Sequence, residues 1–265
     1  MTPDQQQLLD TIAEFLEPRP DVQAAWLSGS LGAGHGDAFS DVDVLVLVSD
    51  GAASKASSSI VADLGSIAPT IMVNRLFGGR VLSVITDDWR RFDLVFVESS
   101  DLARYNARDL TVLFNHGSHS PPSHQVPPYQ TSPDQLLTLV NEFLRVLGLT
   151  VVALGRGEYE LALTGLDLLR RSTLDIMLEE NGVSPSQRGG ALRRLPFLHA
   201  DQINELRALP PLMAERSSVL AGADAIAKIF LPRARRHADR IGMIWPQALE
   251  DATRRHLARN LGLAI

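Results

Sequence analysis

Two aspartates stand at the start of an apolar segment near the N-terminus, where they could bind a metal ion. Asp41 and Asp43 belong to the run "DVDVLVLV", whose β-branched residues predict a strand. Residues two apart on a strand point to the same face, about 6.6 Å apart. Neighbouring carboxylates repel each other, and burying either one without a partner is unfavourable. A hard divalent cation removes both problems, and Mg²⁺ typically takes one or two carboxylates together with phosphate oxygens.

A glycine-rich segment with a serine precedes the two aspartates. In "GSLGAGHG", Gly29 and Ser30 follow a second predicted strand, "VQAAWLS". Glycine permits close approach of the backbone, and backbone N–H groups with a hydroxyl can hold phosphate oxygens. The segment lacks the "GK[ST]" of a Walker loop, and it leads into a loop and a strand instead of the helix of a dinucleotide-binding fingerprint. Together with the paired carboxylates, it predicts binding of a nucleoside triphosphate and Mg²⁺.

A third acid, Asp93, lies inside the otherwise apolar predicted strand "RFDLVFV". It would complete a two-metal arrangement or serve as a general base. The alternative is an acid on the solvent face of an edge strand. The presence of the other two aspartates favours the catalytic interpretation.

The elements that must position these residues form an α+β N-terminal half. Hydrophobic residues recur at helical spacing from Pro3 to Leu16, and "EPRP" ends that helix. "ASKASSSIVADLGSI" predicts a second helix, "TIMVN" and "RVLSVIT" predict a hairpin around "RLFGG", and "LTVLF" predicts a further strand. We therefore expect a mixed β-sheet with flanking helices.

The second half of the chain has a different character. The segment "NHGSHSPPSHQVPPYQTSPD" is rich in Pro, Ser and His, and it marks a boundary between domains at 1–125 and 126–265. Beyond it, every periodic segment is helical. The expected helices span 133–156, 158–181, 201–220, 223–241 and 246–261, which predicts an all-α helical bundle.

Composition limits the classes of function. The chain has 265 residues, a formal net charge of −6 and no cysteine. An acidic balance disfavours a nucleic-acid partner, and the absence of cysteine excludes disulfides and thiolate metal sites. The N-terminus carries no signal-peptide pattern, and no apolar run approaches the roughly 20 residues of a membrane span. We expect a cytoplasmic protein with no membrane partner.

The spacing of these motifs resembles the nucleotidyltransferase superfamily, which is related to DNA polymerase β. Gly29-Ser30, ten residues, then Asp41-Val42-Asp43 matches its "hG[GS]…[DE]h[DE]h" signature. More closely, the chain resembles two-domain antibiotic nucleotidyltransferases. It is most similar to those that modify lincosamides, and the enzymes that modify aminoglycosides belong to the same group. "GSLGAGHGDAFSDVDV", "RFDLVFV" and "GRGEYELALTGLDLLRRSTLDIM" carry this resemblance, which thins after about residue 185.

The resemblance implies Mg²⁺-dependent transfer of a nucleoside monophosphate from ATP, or another nucleoside triphosphate, to a hydroxyl of a small molecule, with release of pyrophosphate. Asp41 and Asp43 would hold Mg²⁺, Asp93 would be a third ligand and the base, and Ser30 with the N–H groups near Gly29 would bind the phosphates. Position 93 is an aspartate where the nearest relatives have glutamate, so its carboxylate is one methylene closer to the backbone. A homodimer is suggested by relatives alone.

In the helical domain, the resemblance extends to three charged residues. Arg170 and Arg171, in "LLRRST", match a phosphate-contacting helix, although a solvated helix face is the alternative. Glu158, in "RGEY", would orient the substrate or simply favour the helix dipole.

Several other residues invite a functional interpretation. His116, His119 and His124 could bind zinc, but a polar linker fits them better, and His35 fits a loop-filling role. Trp26 is expected in the core, whereas Trp89 and Trp245 are better placed to stack on a base or a drug ring.

Two alternatives to a small-molecule acceptor stay open. One keeps the chemistry but transfers the nucleotide to a protein or an RNA. The other is a nucleotide-binding relic without catalysis, which the intact set of Asp41, Asp43, Asp93 and Ser30 argues against.

Overall fold

Contacts between residues divide the chain into two units, Met1–Val126 and Pro127–Ile265. The structure is a computed structural model, and it describes residues 1–123, 127–185, 187–188 and 194–265. The functional division into a catalytic domain, 1–125, and a substrate-binding domain, 126–265, stays a prediction.

The first unit is built on one six-stranded mixed sheet, which confirms the predicted α+β class. The strands are β1 (Val22–Leu27), β2 (Val42–Val48), β3 (Thr70–Leu76), β4 (Val81–Thr86), β5 (Arg91–Val97) and β6 (Thr111–Asn115). Their order across the sheet is β3-β4-β5-β2-β1-β6. The β2–β5 pair is parallel and the other four pairs are antiparallel. Because β2 and β5 are parallel and adjacent, their first residues lie at the same edge of the sheet.

Two helices supply the core of this unit on one face of the sheet. They are α1 (Pro3–Leu16), which begins with a capping box between Thr2 and Gln5, and α3 (Ala53–Asp63). A one-turn helix, α2 (Gly29–Gly32), lies between β1 and β2. Buried side chains of the helices and strands form one cluster, including Leu8, Ile12, Leu16, Ile60, Val44, Val46, Phe92, Leu94 and Phe96. Alternate residues of β1 and β2, among them Trp26, Leu45 and Leu47, belong to a second buried cluster.

The second unit is helical, as predicted. It contains α4 (Pro133–Arg156), α5 (Tyr159–Glu180), α6 (Ala200–Arg207), α7 (Arg216–Ile241) and α8 (Gln247–Leu261). Ser132 and Gln135 form the capping box of α4, and Gly157 ends that helix in the left-handed conformation. Phe143 and Phe230 stack at 3.7 Å in the core.

One predicted helix, 201–220, is wrong. The structure ends α6 at Arg207 and starts the next helix at Arg216. The intervening segment contains Pro210 and Pro211, which cannot donate the backbone hydrogen bonds of a helix interior. Helix α7 then runs without a break through the position where the sequence suggested a boundary.

The expectation that no segment is long and apolar enough to span a membrane is wrong for helix α4. By length and composition alone, its 24 residues with a window of mean hydropathy 1.7 pass that test. The same is true of core helices in general, and Leu136, Val140, Phe143 and Leu147 of α4 are buried in the core of the second unit.

Candidate active site

A row of polar side chains crosses the sheet near the starts of β2 and β5. Asp43 and Asp93 are directly paired in the parallel ladder, and Ser83 is paired with Asp93 from β4. Paired residues of a ladder point to the same face, and the Ser83 hydroxyl hydrogen-bonds the Asp93 carboxylate. Asp41 comes one residue before β2. The fold therefore brings all three predicted aspartates to one edge of the sheet.

The carboxylates of this row are partly buried, and their negative charges are only partly compensated. Burial, reinforced by the neighbouring carboxylates of Asp41 and Asp93, raises the pKa of Asp43 to about 7. Burial also raises the pKa of Asp93, against the opposing effect of the hydrogen bond from Ser83. Strongly shifted pKa values of neighbouring ionisable groups are common at functional sites.

Arg91 is a residue of this site that the sequence interpretation missed. Its Nη1 lies 3.9 Å from Asp41 Oδ2, and its Nη2 donates a hydrogen bond of 2.8 Å to the carbonyl of Phe39. Its positive charge opposes the raised pKa of both Asp43 and Asp93. The signal was present in the sequence, because Arg91 lies two residues before Asp93 on a predicted strand and therefore shares its face.

Gly29 lies directly against the Asp43 carboxylate. A Cβ placed on Gly29 would lie 1.9 Å from Asp43 Oδ2, and the backbone of Gly29 has φ +59. The N–H of Ser28 donates to the carbonyl of Asp43 at 2.8 Å, which fixes the preceding segment to β2. Only glycine fits this position, for reasons of both space and conformation. The segment "GSLGAGHG" leads into a loop and then β2, as expected, and its first four residues, Gly29–Gly32, form the helical turn α2, which the sequence did not predict.

Ser30 is tied into the loop that leads to Asp41. Its hydroxyl hydrogen-bonds the Ser40 hydroxyl at 3.0 Å. Helix α1 holds the same loop, since Gln5 Nε2 donates to the carbonyls of Asp37 and Ser40 at 2.9 and 2.8 Å. The role of Ser30 in binding phosphate stays a prediction.

The donor set of this edge fits a hard divalent cation. It consists of carboxylate oxygens, and their burial next to one another, which raises the pKa of Asp43 and Asp93, is a cost that a bound cation would offset. In the parts of the chain that the structure describes, no three acidic or histidine side chains are already gathered closely enough to hold a metal ion. The Asp41 carboxylate lies toward Arg91 instead.

The other predicted site residues belong to the second unit. Arg171 pairs with Asp167 at 2.8 Å on the exposed face of α5. Arg170 is also exposed, and it lines an apolar cavity of about 190 Å³ with Leu174, Leu195, Ile203, Leu206 and Arg207. Glu158 is the exposed residue that precedes α5. Their roles in binding phosphate and substrate stay predictions.

The histidines and tryptophans separate into structural and exposed groups. His116 Nε2 lies 3.1 Å from the Glu17 carbonyl, and the His119 carbonyl accepts a hydrogen bond from Asn115, while His124 lies outside the described residues. Trp26 is buried, as expected. Trp245 donates to Glu250 at 2.6 Å, whereas the side chain of Trp89 is 71% exposed.

A mixed sheet that carries paired aspartates behind a Gly-Ser turn defines the class of protein, which is a nucleotidyltransferase. Comparison with protein families makes this more specific. The family model described as streptomycin adenylyltransferase matches residues 2–184. The chain belongs to this family and is an enzyme of the adenylyltransferase type. No curated protein matches it.

Solved structures with low sequence identity resemble the chain over most of its length. An aminoglycoside 6-adenyltransferase from Bacillus subtilis is 16% identical, covers 97% of this chain and 98% of its own, and has a TM-score of 0.45. A CCA-adding enzyme is 14% identical over 98% of this chain and 70% of its own, with a TM-score of 0.39. A nucleotidyltransferase-like protein from Exiguobacterium sibiricum 255-15 is 15% identical over 97% and 88%, with a TM-score of 0.37.

Proposed function

We propose that this enzyme transfers the adenylyl group of ATP to a hydroxyl of an aminoglycoside antibiotic and releases pyrophosphate. The observation that carries the proposal is the direct pairing of Asp43 with Asp93, with Gly29 packed against the Asp43 carboxylate, in a member of an adenylyltransferase family. The family description names streptomycin, so aminoglycosides come before lincosamides as acceptors. Amine-rich acceptors also suit an edge that carries three carboxylates.

In this proposal, Mg²⁺ would be held by Asp41, Asp43 and Asp93. The bound ion would neutralise negative charge on the triphosphate. Gly29 leaves room for the Asp43 carboxylate, and the N–H groups after it, with the Ser30 hydroxyl, bind the terminal phosphates.

Asp93 is the group proposed to accept the proton of the acceptor hydroxyl. The acceptor O–H bond breaks, a new bond forms from that oxygen to the α-phosphorus, and the bond from the α-phosphorus to pyrophosphate breaks. The hydrogen bond from the Ser83 hydroxyl orients the Asp93 carboxylate for this role. Catalysis then depends mainly on positioning and charge.

The test is a pyrophosphate-release screen with the purified enzyme and Mg²⁺. Each of the four nucleoside triphosphates is paired with streptomycin, other aminoglycosides, a lincosamide and a blank. We expect release with ATP and an aminoglycoside alone. Release with the lincosamide alone would change the proposed acceptor class to lincosamides. No release with any of these acceptors would favour a protein or RNA acceptor, or a relic without catalysis.

Calorimetry separates an enzyme from a relic. We expect ATP to bind in a Mg²⁺-dependent manner, and failure of every triphosphate to bind would contradict nucleotidyl transfer to any acceptor. A homodimer remains a part of this proposal that rests on resemblance, and a cytoplasmic location remains an expectation from composition. The net charge of −6 supports the expectation that nucleic acid is not a partner.

A further inference from the structure

Trp89 combines an unfavourable backbone conformation with an exposed aromatic ring. It lies in the turn between β4 and β5, its φ is +63, and its side chain is 71% exposed. A left-handed backbone is rare for bulky residues, and glycine or asparagine is the usual choice in such a turn. Both features are unfavourable in the free protein, but Phe77, in the turn between β3 and β4, shares them with φ +51 and 81% exposure. The feature that distinguishes Trp89 is its place just before the start of β5, the strand that carries Asp93.

Hydrogen bonds hold the turn, so the ring has a fixed base. The Trp89 N–H donates to the Thr86 carbonyl at 3.0 Å, and the Thr86 N–H donates to the Arg90 carbonyl at 3.0 Å. The Arg90 N–H donates to the Thr86 hydroxyl at 3.0 Å, and Arg90 pairs with Asp88 at 2.7 Å. The turn would keep this geometry with a smaller residue at position 89.

The turn lies beside the carboxylates of the candidate active site. It leads directly into β5, and Asp93 follows Trp89 by four residues. Between them, Arg91 donates to the carbonyl of Phe39, whose own ring is 87% exposed. Arg91, whose guanidinium faces Asp41, thus lies two residues after Trp89 in the chain and contacts the backbone of Phe39.

We propose that Trp89, together with Phe39, forms the surface on which the ring of a cationic acceptor stacks during nucleotidyl transfer. An indole face attracts cations and polarised C–H groups. Residues 39–43 and 86–93 contain two arginines, Arg90 and Arg91, and five aspartates, which are Asp41, Asp43, Asp87, Asp88 and Asp93. A surplus of negative charge beside an aromatic face suits an amino sugar or aminocyclitol better than a neutral base. This inference rests on the proposed function and adds the residues that select its acceptor.

The first test uses Trp89→Gly, Trp89→Phe and the wild type, with Trp245→Phe as a control in the second unit. Streptomycin is titrated without nucleotide while tryptophan fluorescence is followed. We expect quenching in the wild type and in Trp245→Phe, and loss of quenching in Trp89→Gly. Quenching that survives in Trp89→Gly, or that Mg²⁺–ATP causes and streptomycin does not, would overturn the proposal.

Stability and kinetics give the second test. We expect Trp89→Gly to melt at the same or a higher temperature than the wild type, because glycine fits the left-handed turn. Its KM for streptomycin should rise roughly tenfold with a smaller change in kcat, and Trp89→Phe should restore most of the loss. A lower melting temperature with an unchanged KM would assign Trp89 a purely structural role and overturn the proposal.

The two tests distinguish this inference from the proposed function. If the wild type turns over an aminoglycoside and Trp89→Gly keeps the same KM, the stacking surface is wrong and the function stands. If streptomycin quenches Trp89 but no aminoglycoside releases pyrophosphate, the binding surface stands and the proposed transfer is wrong. If neither streptomycin nor any other aminoglycoside quenches the fluorescence or supports turnover, both are wrong.

Discussion

Gly29 is the residue at which the geometry of the candidate site can be tested most selectively. Its left-handed backbone and its contact with Asp43 make two separate demands on the side chain at this position. Gly34, five residues later, has φ +76 but has no atom within 4 Å of an added Cβ among the described residues. The pair therefore separates backbone strain from displacement of the carboxylate.

We expect Gly29→Ala and Gly34→Ala each to lower the free energy of unfolding by about 1–2 kcal/mol, because alanine is strained in the left-handed region. Gly29→Ala should also lower kcat/KM by about 10²-fold, because Asp43 must move. Thermal denaturation and a pyrophosphate assay measure the two effects. Equal activity in the two variants would contradict a role for the contact between Gly29 and Asp43.

The raised pKa of Asp43 predicts how stability depends on pH. In the absence of Mg²⁺, the folded state retains a proton on Asp43 up to about pH 7, while the unfolded chain loses it near the ordinary value of 3.8. The folded state therefore binds more protons between these values, and stability falls as the pH rises through this range. Asp43→Asn cannot ionise and should lose less stability over the same range.

Thermal denaturation with a chelator at pH 5 and pH 8 measures this difference. We expect the melting temperature of the wild type to fall more between the two pH values than that of Asp43→Asn. Equal changes in the two proteins would contradict a buried Asp43 with a raised pKa.

At the scale of elements, a buried acid joins α7 to α8. Glu250 is fully buried, accepts a hydrogen bond of 2.6 Å from the Trp245 indole, and pairs with Arg254 at 2.7 Å and with Arg235. Burial alone would raise its pKa, but the hydrogen bonds from Arg254 and Trp245 outweigh this effect and lower it. The carboxylate is thus charged where the two helices meet.

We expect Glu250→Ala to lower the free energy of unfolding by about 3 kcal/mol, because it leaves the indole N–H and two arginines without their partner. The value is at the lower end of the range for such losses since both arginines are partly exposed. Glu142→Ala is the matched control, because its pair with Arg145 on α4 is exposed to solvent and contributes little to stability. Urea denaturation measures both, and equal losses would contradict the account of Glu250.

The sequence predicted most elements where periodicity was strong and turn residues marked the ends. Helices 3–16 and 133–156 have the same bounds in the structure, because Thr2 and Ser132 cap them and "EPRP" and Gly157 end them. Helix α2 was missed because one turn of four residues has no periodicity. The pairing of β2 with β5 could not be predicted from the sequence either, because the β3–β4 hairpin separates the two strands along the chain.

At the candidate site, the types of residue were predictable and their contacts were not. Asp41, Asp43 and Asp93 were found from their unusual place in apolar strands, and the sheet does bring them to one edge. The contact between Gly29 and Asp43 depends on the approach of α2 to β2, which is a tertiary feature. The same is true of Arg91, whose partner Phe39 is distant in sequence.

At the scale of the whole molecule, the predicted roles of the site residues differ between the two units. The first contains the aspartate row on the mixed sheet, and the second contains Arg170, Arg171 and Glu158. The family match spans residues 2–184 and thus includes segments of both units. In the proposed function, the aspartates carry the chemistry, and those three residues are predicted to contact phosphate and substrate.

The most direct test of nucleotidyl transfer is the mass of the product. Purified enzyme is incubated with Mg²⁺, ATP and streptomycin, and the antibiotic is analysed by mass spectrometry beside a reaction with Asp43→Asn. We predict a mass increase of one adenylyl group in the wild-type reaction and none with the folded Asp43→Asn variant. Unmodified streptomycin and unmodified related aminoglycosides after prolonged reaction, or full modification by Asp43→Asn, would contradict the account.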